Sequence, residues 1–271
     1  MAKVAIQGEP GSYSEETALR ALGEGILIVP LRTLEEVFQS LARGDVDGAV
    51  IPVENSRAGT VVGALELLAE YPFPVLGEWE LPVHHCLLAL PGERLEAIHT
   101  VYSHPQALAQ CRQFLTQLNV RQEPWYDTAG SARFIAERRL EGVAAVASRH
   151  AASLYGLEVL AENIEDAPDN VTRFYFLGLP PKATRTRGGG RTVFVFSTPD
   201  EPGALVRCLL PFAKAGINLM KLESRPNRRA PFSYTFYGVV TQTRSHPACA
   251  EALNEVARTA TFFRILGSYE V

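Results

Sequence analysis

From Lys3 to about residue 178 the chain alternates short apolar runs with amphipathic stretches, and no segment repeats. Residues 3–7, 26–29, 49–53, 98–102, 120–124 and 142–147 read as strands, with helical patterns between them. Strand–helix alternation of this kind requires parallel sheets joined by right-handed crossovers. Pro72 and Pro74 break the alternation into two blocks. The expectation is therefore an α/β unit over residues 1–178, with two lobes around a cleft and the second lobe at roughly 80–155.

Residues 179–190 carry Pro180-Pro181, then charge, then Gly188-Gly189-Gly190, which is a linker composition. Beyond it, residues 191–271 read strand, helix, strand, strand, helix, strand. Their apolar spacing at Ala204, Leu205, Cys208, Leu209, Phe212 and Ala213 is helical. This βαββαβ order predicts a separate ferredoxin-like domain, an arrangement that by itself carries no function.

Composition closes off several classes. With 46% hydrophobic and 21% charged residues and a formal charge of -4, the chain reads as globular, with no signature of nucleic-acid binding. The arginines between Arg185 and Arg191 are spaced by glycine and threonine, as on a solvated linker. No run spans a bilayer, and the first residues enter a strand without a signal-peptide pattern. Cys86, Cys111, Cys208 and Cys249 form no CxxC pair, and His84-His85 has no partner at ligand spacing. Reduced thiols in a cytoplasm, without metal or cofactor, are expected.

The chemistry is expected at Asn170-Val171-Thr172-Arg173-Phe174, where a hydroxyl adjoins a carboxylate-matching guanidinium. Neighbouring strand residues point to opposite faces, so both serve one pocket only at a strand end or bend. The alternative is a solvated strand face. The turn around Ser12, between the first strand and helix, reads either as a carboxylate-binding turn or as a capped one. Asn55 and Ser56 open a polar loop at a strand's carboxyl end, where open α/β sheets bind ligands, and Ser56 also reads as a helix cap. Ser103 starts a helix expected to run through Gln117, on which Gln106 and Gln110 share a face. His84 and His85 alternate in and out of their strand, and at most one faces the cleft.

These motifs together resemble the prephenate dehydratase family. The resemblance is carried by the 8–14 loop, Pro52-Val53-Glu54-Asn55-Ser56, Ser103-His104-Pro105-Gln106-Ala107-Leu108 with Gln110-Cys111, and residues 170–174. In the last domain, Pro202-Gly203-Ala204-Leu205, Gly216-Ile217-Asn218-Leu219 and Glu223-Ser224-Arg225-Pro226 resemble an ACT regulatory domain. The resemblance implies the monofunctional form, with no chorismate mutase segment ahead of Lys3. It also implies a catalytic unit similar to type II periplasmic binding proteins.

By position, the resemblance makes Thr172 the essential threonine and Arg173 the substrate-binding arginine. Asn55, Ser103 and Gln110 would be pocket residues, with Ser12 and Ser56 beside them. It implies decarboxylating dehydration of prephenate to phenylpyruvate, water and carbon dioxide, driven by aromatisation and needing no cofactor. L-Phenylalanine would bind at Gly203, Ala204, Leu205, Asn218, Leu219, Glu223, Ser224, Arg225 and Pro226, between paired ACT domains of a homodimer or homotetramer. Arogenate dehydration and a non-catalytic amino-acid sensor stand as alternatives.

Overall fold

A computed structural model describes residues 1–182, 189–227 and 233–271. By internal contacts the chain forms two compact units, Met1–Ala64 with Trp79–Phe174, and Leu65–Glu78 with Tyr175–Val271.

The first unit opens with β1 (Ala2–Gln7), α1 (Tyr13–Leu22), β2 (Ile26–Leu31), α2 (Leu34–Arg43), β3 (Gly48–Asn55) and the two-residue β4 (Gly59–Thr60). α3 (Ala64–Glu70) and β5 (Val75–Pro82) follow, and β5 starts in the second unit and ends in the first. β1 pairs in parallel with both β2 and β3, as the alternation demands. Val4, Ala5 and Ile6 are fully buried with Val37, Phe38, Val50 and Ile51. Each large side chain removed from water this way contributes roughly 1.5–3 kcal/mol. α2 is fixed at both ends. Thr33 and Glu36 form a reciprocal capping box, and Gly44 closes the helix in the left-handed region.

The second lobe holds β6 (Cys86–Ala89), β7 (Thr100–Ser103), α4 (Pro105–Gln110), α5 (Arg112–Leu118), β8 (Arg121–Pro124), α6 (Thr128–Arg138), β9 (Val143–Ala147), α7 (Arg149–Tyr155) and β10 (Glu158–Ala161). Its sheet runs β10-β6-β9-β7-β8, parallel about β7 and antiparallel about β6. The chain then returns through β11 (Val171–Leu177), which lies between β5 and β3 in the first lobe's strand order.

One local expectation changes. The single helix expected over 105–117 is broken at Cys111, whose N–H is shared between the Ala107 and Leu108 carbonyls. The cause lies at Gln110, whose carbonyl accepts from Asp166 N–H at 2.7 Å and so leaves the helical ladder. α6 is capped by Asp127, its Oδ1 accepting from Gly130 N–H.

In the second unit β12 (Gly190–Ser197), α8 (Ala204–Lys214), β13 (Leu219–Pro226), β14 (Tyr234–Val240), α9 (Pro247–Thr259) and β15 (Phe262–Glu270) give the βαββαβ order. Strand order β13-β14-β12-β15 is ferredoxin-like. Both helices bury one face on Phe194, Phe196 and Val240.

By internal contacts Leu65–Glu78 groups with this unit. Val75 pairs with Gly267, and Arg264 donates to the Tyr71 carbonyl at 3.0 Å. Tyr269 donates to Glu78 at 3.0 Å. Half of the expected linker, with Arg185 and Arg187, lies outside the described residues.

Candidate active site

The site is a chain of side-chain amides that ends on a hydroxyl. Asn55, the last residue of β3, is 6% exposed. Its Oδ1 accepts from the backbone N–H groups of Arg57 and Ala58, both at 3.0 Å, and this fixes which way the amide faces. Its Nδ2 then donates to Asn170 Oδ1 at 2.8 Å and to Thr172 Oγ1 at 2.9 Å. Asn170 Nδ2 donates in turn to Gln110 Oε1 at 3.1 Å, and Gln110 Nε2 stands 3.5 Å from Asn55 Oδ1. β3, α4 and β11 thus meet through neutral groups. Thr172 is partly exposed, and its oxygen accepts from Asn55, so its own proton stays available to a ligand.

The structure separates Thr172 from Arg173, as strand alternation requires. Arg173 donates from Nη1 to Glu54 at 3.0 Å, and from Nε and Nη2 to Glu80 at 3.2 and 2.6 Å. In this structure the guanidinium expected to grip the substrate is paired within the chain. Its planar fork is engaged by two carboxylates and ties together β3, β5 and β11.

Three serines expected beside the pocket have partners within the chain. Ser56 Oγ donates to the Asp169 carbonyl and accepts from Val171 N–H, which pins the start of β11. Ser103 is fully buried and donates to the Val146 carbonyl at 2.6 Å, so its proton is held within the second lobe. Ser12 caps α1, accepting from Glu15 N–H. The anion at that turn is the chain's own, because Glu15 Oε2 accepts from Gly11 N–H and pairs with His150 at 3.0 Å. The capped-turn alternative therefore describes Ser12. Gly8, with φ +108°, lets this loop pass Asp127, whose Oδ2 would lie 3.0 Å from an added Cβ.

Of the two histidines, His84 faces outward and pairs with Glu165 at 2.9 Å. His85 is 2% exposed. Burial pushes its pKa down, against the opposing effect of Gln110 and Glu165.

A cavity of about 480 Å³ has Asn55 in its wall, together with Gln7, Arg32, Thr33, Thr60, His104 and Gln106. Thr172 does not line this cavity and is linked to its wall by the hydrogen bond from Asn55. Among the described residues lining the cavity, Arg32 is the one permanent cation and there is no carboxylate. Its guanidinium lies 5.8 Å over the Tyr126 ring. Sequence reading passed over Arg32 because the residue sits at a strand-to-helix turn outside any motif. His104 Nδ1 accepts from Gln106 N–H, so its Nε2 carries the proton.

Among the described residues Thr172 has one hydrogen-bond partner, an amide donor that cannot take its proton. A hydroxyl so placed suits a lyase, which assists a leaving group, rather than a hydrolase with an activated nucleophile. The model of the family described as prephenate dehydratase matches residues 4–182, and the chain belongs to that family. It is accordingly a dehydratase, a carbon–oxygen lyase.

Among relatives, "Arogenate dehydratase/prephenate dehydratase 6, chloroplastic" of Arabidopsis thaliana is 42% identical over 98% of this chain and 68% of that protein. The structure of prephenate dehydratase with L-Phe from Arthrobacter aurescens is 31% identical, with TM-score 0.88 over 98% of this chain and 89% of that one. A structure described as "GqqA- a novel type of quorum quenching acylases" is 35% identical, with TM-score 0.88 over 98% and 97% of the two chains. No helix among the described residues is long and apolar enough to cross a membrane.

Proposed function

We propose that the chain converts prephenate to phenylpyruvate, water and carbon dioxide. The observation that carries this reading is the orientation of Thr172, whose oxygen is held by Asn55 Nδ2 while its proton remains free. Loss of the ring carboxylate releases carbon dioxide and sends its electron pair into the ring. The ring C–O bond breaks as the departing oxygen takes a proton from Thr172, and water returns that proton afterwards. Asn55 stabilises the threonine oxygen as negative charge develops on it. Arg32 takes a substrate carboxylate, with His104 and Gln106 as further donors. Arg32 on the cavity wall suits the dicarboxylate prephenate, and arogenate is the alternative substrate.

The test is phenylpyruvate formation by the purified protein. Positioned proton transfer is typically worth about 10²–10⁴ in rate, so Thr172→Ala should lose that much and stay folded. A fully active, folded Thr172→Ala would reject the assignment. Turnover of arogenate but not prephenate would reject the substrate.

The ferredoxin-like domain is proposed as an ACT domain that binds L-phenylalanine and feeds back on the first unit. Gly203 caps α8 with φ +78°, and Glu223 to Pro226 lie on β13, where Glu223 and Arg225 pair at 3.4 Å. The phenylalanine complex of the Arthrobacter relative supports this reading. Coupling would be on the order of 1–3 kcal/mol, and Asn218→Ala should weaken inhibition by phenylalanine. Homodimer or homotetramer assembly through paired ACT domains belongs to the same proposal. Four buried, free cysteines support a reducing compartment, and the cytoplasm is proposed on that basis.

A further inference from the structure

The amide chain behind Thr172 does not end at Gln110. His85 Nε2 lies 2.9 Å from Gln110 Oε1, and its Nδ1 lies 3.0 Å from the Tyr13 hydroxyl. That hydroxyl also stands 2.8 Å from the His84 carbonyl, so its single proton is shared between that oxygen and a bare Nδ1. Polarity runs in one direction along this path. Asn55 is fixed by two backbone N–H groups, Asn170 by Asn55, and Gln110 Oε1 by Asn170 Nδ2. Gln110 therefore offers His85 an acceptor, and only an Nε2–H imidazole completes the chain. The other tautomer would set two lone pairs against each other, or turn the Gln110 amide so that its NH₂ faced that of Asn170.

We propose that His85 is a positioning residue for catalysis: as the neutral Nε2–H tautomer held by Tyr13, it locks Gln110 and, through Asn170 and Asn55, the hydroxyl of Thr172. Burial of the ring keeps it uncharged at neutral pH. His85 touches no substrate in this role. It contributes a buried donor that makes one arrangement of three flippable amides better than the others.

The activity arm rests on the prephenate reading, and the spectroscopic arm does not. His85→Leu removes the donor, and His85→Gln keeps an N–H near the Nε2 position. Turnover of prephenate by His85→Leu should fall roughly ten- to hundredfold in kcat with KM nearly unchanged, as for a misplaced catalytic group. His85→Gln should recover most of that loss. In a Gln110→Ala background, the leucine substitution should cost little more, because the two act through one path. An unchanged kcat in folded His85→Leu, or losses that multiply, would overturn the proposal.

If His85→Leu does not fold, Tyr13→Phe takes its place and should lower kcat in the same sense. ¹⁵N shifts of the wild-type imidazole at neutral pH should report a protonated Nε2 and a bare Nδ1. The opposite tautomer would overturn the proposal whichever substrate the enzyme takes. Failure of the wild type to turn over prephenate would reject the substrate reading and leave this spectroscopic result to judge the relay.

Discussion

Asn55 donates to Thr172 at 2.9 Å because its own carbonyl oxygen is held by the N–H groups of Arg57 and Ala58. The direction of that hydrogen bond leaves the Thr172 proton available. Asn55→Asp would reverse it, placing a carboxylate oxygen where the donor had been, so that Thr172 would donate inward. The expected result is a fall in kcat of about 10² or more, in the range of a lost general acid, with a smaller change in KM. Steady-state kinetics on prephenate checks this, and a kcat within tenfold of wild type would refute the directional argument.

Arg173 is argued to hold strands together. Removing it leaves Glu54 and Glu80 facing each other, their side chains about a third exposed. Arg173→Ala should destabilise the fold by roughly 1–3 kcal/mol, discounted from a fully buried pair for that exposure. Arg173→Lys should recover only part, since an ammonium cannot reproduce the fork. Denaturant melts report the loss. A KM raised tenfold or more with unchanged stability would instead return Arg173 to the substrate.

The fold and the site were not equally legible in the sequence. Alternation fixes the parallel pairing of β1 with β2 and β3, and apolar spacing marks the βαββαβ unit, because both signals are periodic. Asn55, Gln110 and Thr172 were found from motifs and prove to share one hydrogen-bonded path. The intramolecular partners of Arg173 and Ser103 were not legible, because residue type does not reveal a partner. Glu80 lies 93 positions from Arg173, and Val146 lies 43 from Ser103. Leu65–Glu78 joins the last domain through pairings nearly two hundred residues away, which no local pattern encodes. His84 and His85 were read only as alternating in and out of their strand, and the burial of His85 and its contact with Gln110 were not legible there.

Arg32 carries the prediction on substrate charge. Arg32→Ala should raise KM for prephenate about tenfold and leave kcat within a few fold, as expected for a charge-assisted contact worth about 1.5–3 kcal/mol. Arg32→Glu should raise it further, and the wild-type KM should rise with salt while that of Arg32→Ala changes less. Equal salt dependence of the two proteins would remove Arg32 from the carboxylate site.

The pair of Glu15 and His150 ties the loop after β1 to α7, and it makes stability depend on pH. Its hydrogen bond to Glu15 holds the His150 pKa above the ordinary 6.5, against burial and with help from the Glu15 charge. Burial alone would raise the Glu15 carboxyl, but His150 and Gly11 N–H outweigh it and hold the group below 4.5. The histidine's contribution is complete below 6.5 and is lost as pH rises through its raised folded value. The glutamate's contribution is complete above 4.5 and is lost as pH falls through its lowered folded value. Together they predict most stabilisation between those two ordinary values and a decline on going alkaline. His150→Gln should remove that decline, a difference of at most about 1 kcal/mol for so partly exposed a pair. Melting temperatures of the two proteins at pH 5.5 and 8.5 measure it. The wild type should lose about 2–4 °C relative to the variant on going to pH 8.5. Parallel behaviour would mean that the Glu15–His150 contact carries no net charge attraction.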